Sequence, residues 1–149
     1  MIEAEVRSLY FAELANRFTV RKQIISGVTF FLSSGAAASL IGKAPAWVPI
    51  VLSVLTAGAS AYSIAVSLDR KASTMAKLHS AWNKIQSEYD RLWNHWYEDE
   101  AEAAFSELIR REQEVSETAT TEAPWDTRLI DKWQDHVNSR YTNGGVVIA

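Results

Sequence analysis

Two uncharged stretches separated by a single lysine constrain this chain more than any other feature. Nineteen residues from Ile24 to Gly42 carry no formal charge, Lys43 follows, and twenty-five more run uncharged from Ala44 to Leu68. As helices rising ~1.5 Å per residue they span roughly 28 Å and 37 Å, against a hydrocarbon core of about 30 Å. The pattern predicts a transmembrane hairpin over 24–68, with spans 24–42 and 46–68. Burial of the same two helices inside a soluble protein is the alternative. A cleaved signal peptide would lie closer to a basic N-terminus, whereas about twenty residues of patterned polar sequence come first here.

Basic residues set the expected orientation. Arg17, Arg21 and Lys22 precede the first span, Arg70, Lys71 and Lys77 follow the second, and the intervening turn holds only Lys43. The excess of Lys and Arg on the cytoplasmic side of membrane helices predicts that both termini are cytoplasmic. In the turn "GKAPAWVP", Trp47 suits the headgroup level, and Pro45 and Pro49 are tolerable where the second helix begins.

Outside the spans the chain reads as amphipathic helix. Ile2, Val6, Leu9, Tyr10, Leu14 and Phe18 recur at helical spacing within 1–23, with charged residues of both signs elsewhere around the wheel. A surface-bound helix usually carries a strongly basic polar face, so packing against other helices is the favoured use. Beyond the spans, Met75, Leu78, Trp82, Ile85, Tyr89, Leu92 and Trp96 alternate steps of three and four, a heptad seam that predicts an oligomer contact in a long cytoplasmic, coiled-coil helix over 69–117. The same register extends back through Leu68, Ile64, Ala61, Ala57 and Val54, which predicts one helix continuous across the membrane interface. A bend or break is expected at "YEDEAEAAF", where the phase is lost. "SETATTEAP" predicts a linker over 118–125. Asp126 is placed to cap a last helix over 126–141 that buries Leu129, Ile130, Trp133 and Val137, followed by a tail over 142–149.

The residues that chemistry requires are sparse. There is no cysteine, and hence no disulfide or thiolate metal site. His79, His95 and His136 lack a metal-binding pairing, and the acidic residues Glu98, Asp99, Glu100 and Glu102 lack the spaced ligands of a calcium loop. No glycine-rich loop sits beside a lysine to cradle phosphate. A net charge of −3 gives no support for nucleic-acid binding. Stacked aromatics around Trp82, Tyr89 and Trp96 could cradle a nucleobase, but most of this surface is better accounted for by packing along the seam, with Trp93 and Tyr97 flanking it. The chain is therefore expected to be no enzyme and to hold no cofactor or metal.

A stripe of hydroxyls in "VLSVLTAGASAYSIAVS" remains. Ser53, Thr56, Ser60, Ser63 and Ser67 follow helical steps about 100° from the seam register. Such residues serve close helix packing in lipid, or they line a path that passes water and ions through dipoles rather than fixed charges. Both uses stay open on the sequence.

The segments "LYFAELANRFTVRKQ" and "LHSAWNKIQSEYDRLW", with the paired spans between them, resemble the SLATT family, the SMODS- and SLOG-associating two-transmembrane effectors, over roughly Leu9 to Tyr141. The resemblance implies an effector of bacterial antiviral defence, in the inner membrane, that assembles and opens the bilayer when a sensor protein or a nucleotide second messenger signals infection. This chain departs from some relatives in having no recognisable sensor domain. The expectation is an all-α membrane protein, homo-oligomeric and pore-forming, with the lipid bilayer as its principal partner. A membrane anchor that recruits a partner through its cytoplasmic helices is the alternative.

Overall fold

A computed structural model of the chain describes residues 2–42, 45–97 and 101–143. Lys43, the acidic residues Glu98, Asp99 and Glu100, and most of the expected tail lie outside them. Among the described residues the regular structure is all helical: α1 (Ile2–Ile41), α2 (Trp47–Val66), α3 (Leu68–Asn94), α4 (Ala101–Glu122) and α5 (Thr127–Asn143). They form two compact units, one of Met1–Ala15 with Ser73–Ala149, the other of Asn16–Ala72.

In the first unit, the beginning of α1 packs with α3, α4 and α5. Its core takes Val6, Tyr10, Phe11 and Leu14 from α1, Met75, Leu78, Trp82 and Ile85 from α3, Leu108 and Ala119 from α4, and Leu129 and Val137 from α5. Polar contacts fix the same arrangement. His79 Nδ1 lies 2.9 Å from the Ser8 carbonyl, which can only accept, so this nitrogen carries the proton. The Glu13 carboxylate receives Lys132 Nζ at 2.7 Å and the Trp133 indole N–H at 2.9 Å. Glu5, only 5% exposed, receives Arg140 at 2.6 Å and the Tyr141 hydroxyl at 3.0 Å. Arg111 bridges α4 to Glu88 on α3 at 3.0 Å. α5 starts as expected, with Asp126 Oδ1 accepting the Leu129 amide at 3.2 Å and with Leu129 and Val137 buried; Ile130 and Trp133 are half-buried.

The seam on α3 finds its partner inside the chain. Met75, Leu78, Trp82 and Ile85 are buried, Tyr89 and Leu92 are half-buried, and Trp96 is 61% exposed. A heptad pattern demands an apolar partner without saying whose, and here α1, α4 and α5 supply it. The expected oligomer contact along Met75 to Ile85 is thereby corrected. Trp93 and Tyr97, beside the end of the seam, are exposed.

Helix boundaries differ from the expected ones for local reasons. α1 runs through residue 23 without a break, since no proline interrupts it. The single helix expected across residue 68 is two, because Ser67 adopts a left-handed conformation (φ 49°, ψ 45°) that ends α2, its amide bonding to the Ile64 carbonyl at 3.0 Å. The helix expected over 69–117 is likewise divided, with α3 ending at Asn94 and α4 beginning at Ala101. α4 then continues through most of the expected linker: the hydroxyls of Thr118, Thr120 and Thr121 bond back to the carbonyls of Glu114, Ser116 and Glu117 within the helix. It stops at Glu122 because Pro124 disfavours helical geometry at Ala123.

These burials separate two seam tryptophans. Trp82→Ala empties a site with no exposure and is expected to cost about 3–5 kcal/mol. Trp96→Ala at an exposed site is expected to stay within about 0.5 kcal/mol. Urea unfolding of the full chain in micelles, followed by circular dichroism, measures both. A pH effect follows from Tyr89, whose hydroxyl donates to Glu112 at 2.5 Å. Burial, and then this bond, push the phenol up from 10 to about 12. The folded state favours the neutral phenol, so the stabilisation is complete below pH 10 and disappears as pH rises through about 12. A wild-type minus Tyr89→Phe ultraviolet titration is expected to show one phenol ionising near 12; ionisation near 10 would remove this effect.

Candidate functional site

The second unit contains the apolar half of the chain. Within it the later part of α1 and α2 lie side by side and antiparallel: a Cβ built on Gly35 would meet Leu52 Cδ1 at 3.6 Å, and Lys22 pairs with Asp69 at the opposite end. Gly42 ends the α1 arm, its amide bonding to the Ala38 carbonyl at 2.9 Å, and Pro49 falls in the first turn of α2, where the missing N–H is harmless.

No residue of α2 is buried. Ile50, Val51, Val54, Leu55, Tyr62 and Ile64 are exposed on it, and Ile24, Val28, Phe30 and Phe31 are exposed on the facing arm. The helical stretch beginning at Trp47 is the one among the described residues that is long and apolar enough to cross a membrane. Soluble monomers rarely expose contiguous apolar patches beyond a few hundred Å², because the cost of hydrating them scales with area. Trp47 stands exposed at the start of α2, beside the turn.

The hydroxyl stripe divides into two chemical types. Ser53 and Thr56 donate to the carbonyls of Pro49 and Leu52 at 2.7 and 2.8 Å, satisfying themselves within α2. Ser60 and Ser63 are half-buried and make no hydrogen bond among the described residues. Ser67 is the residue that terminates the helix, which moves it off the helical stripe on which the sequence placed it. Gly58 stands open, with nothing within 4 Å of the place a side chain would occupy.

Among the described residues there is no group of three acidic, histidine or cysteine side chains fit to hold a metal ion. His79 bonds with Ser8 between α1 and α3, His95 is exposed with its Nδ1 on the Arg91 carbonyl at 2.8 Å, and His136 stacks edge-on against Trp133 at 5.4 Å. Missing from the sequence reading are the Lys22–Asp69 pair and the stacking of Arg7 on Trp82, 4.8 Å from the ring centroid. Both join residues far apart in the chain and leave no local signal. No protein family, curated protein or solved structure matches this chain.

Proposed function

We propose that the chain is a bacterial inner-membrane protein that spans the bilayer as a two-helix hairpin, assembles into homo-oligomers and conducts ions along the hydroxyl stripe of α2. The observation that carries this is an apolar helix pair whose second arm has no buried residue and no charged residue from Trp47 to Val66. At ~1.5 Å per residue its twenty residues reach about 30 Å, the thickness of the hydrocarbon core. Basic residues flanking both arms favour cytoplasmic termini. The resemblance to SLATT effectors supports an antiviral role in which depolarisation follows a signal from a sensor protein or a nucleotide second messenger.

With the heptad seam used inside the chain, assembly falls to the spans. Small residues at Ala57, Gly58, Ala61 and Ala65 permit another helix to approach closely, and the open space at Gly58 suits it. Ser60 and Ser63 are the hydroxyls whose donors remain for water or an ion, which makes them the central pore-lining positions, with Ser53 and Thr56 offering their oxygens alongside. The alternative is a membrane anchor that presents the first unit as a recruiting module; the self-sufficient core of that unit favours it.

Dye release from liposomes containing the purified chain tests the conduction path. Wild type is expected to release dye, and Ser60→Leu to abolish release while the oligomer persists on cross-linking. Release retained by Ser60→Leu places the path elsewhere. Exchange of both spans for leucine-rich helices is expected to abolish the cellular activity of a channel; activity that survives the exchange belongs to an anchor.

A further inference from the structure

We infer that the first unit binds an amphipathic aromatic monoanion in a cavity between α1 and the α4–α5 corner. The cavity encloses about 670 Å³ and is lined by both of those segments. That volume lies within the ~300–1,000 Å³ typical of small-molecule sites. Three features decide the ligand class, and none depends on the membrane reading.

The first is an aromatic lining that is already in place. Tyr10 and Phe11 are each 4% exposed and meet edge to face with centroids 5.1 Å apart. Trp125 completes the lining yet is 80% exposed. Its backbone is nevertheless clamped, because one phenol holds both neighbours: Tyr10 donates to the Pro124 carbonyl at 2.5 Å and accepts the Asp126 amide at 3.2 Å. An indole fixed at its base and uncovered at its ring has apolar surface to gain from a planar guest.

The second feature is the charge. Arg7 is the one basic residue among those lining the cavity. It is held independently of any carboxylate, stacked over Trp82 at 4.8 Å and reaching Ser116 Oγ at 3.4 Å. The third is its present partner. Glu3, one turn away, accepts from Arg7 Nε at 3.1 Å, and its side chain is 68% exposed against 39% for Arg7. A carboxylate arriving in the cavity can displace Glu3 into water at little cost, since a solvent-exposed ion pair of this spacing is weak. A cation drawn to Glu3 would instead strip Arg7, the less solvated member, of its partner. The exchange therefore favours an anion, and one basic group favours a single charge.

Calorimetric titration of the full chain in lipid nanodiscs with naphthalene-2-carboxylate, and with the neutral naphthalene-2-carboxamide, tests the site; empty nanodiscs provide the subtraction. The carboxylate is expected to bind saturably at one site per chain and at least tenfold more tightly than the carboxamide. Arg7→Gln should weaken it tenfold or more, and Glu3→Gln, which removes the competing carboxylate, should tighten it severalfold. Thr120→Trp, a substitution at an exposed position of the lining, should eliminate binding with the helical melting curve unchanged. Absence of saturable binding to wild type, binding that survives Thr120→Trp, or equal affinity for carboxylate and carboxamide would overturn the assignment.

Discussion

The first unit depends on burying a helix that begins at residue 2 with segments more than a hundred residues later in the chain. Tyr10 bonds with Pro124 and Asp126, Glu13 with Lys132 and Trp133, and Glu5 with Arg140 and Tyr141. Each contact closes a long loop, whose entropic cost grows only slowly with length but must be met before the contact rewards it. The polar groups make the arrangement specific. A carboxylate as buried as Glu5 would be strongly destabilising without partners, and the end of α5 supplies both of them. The start of α1 and the end of α5 are thus joined by these contacts.

Two kinds of apolar surface meet different fates in this chain. The seam of α3 alternates with polar residues, so the helix can give one face to a core and the other to water. α2 has no charged residue, its serine and threonine hydroxyls are confined to one stripe, and the facing arm of α1 covers too little of it to bury any residue. Hydrocarbon is the environment that makes such a surface cheap, and there the backbone bonds of a helix are already satisfied internally. Ser53 and Thr56 obey the same rule by returning their hydroxyl protons to α2.

Periodicity foretold the helices better than their ends or their partners. The cap at Asp126, the buried Leu129 and Val137 and the loss of phase after Trp96 all have local causes, and all were legible. The unbroken register across Ser67 misled, because a three-four count is blind to one residue turning to positive φ. "SETATTEAP" misled in the opposite sense. Its threonines look like breakers, yet each bonds back into α4, and the one true stop is Pro124. In the candidate site, the hydroxyl stripe was visible as spacing, but which hydroxyls satisfy themselves was not.

By itself the sequence determined that the chain is helical, that residues 24–42 and 44–68 carry no formal charge, and where the last helix starts, since these follow from neighbours within a turn or two. Only the tertiary structure decided that the seam of Met75, Leu78, Trp82 and Ile85 is consumed within one chain, that Glu5 and Arg140 are partners, and that Arg7, Tyr10 and Trp125 share a cavity. The reason is physical: hydrophobic burial is non-directional, so a pattern states how much surface must be covered and leaves to packing the choice of what covers it.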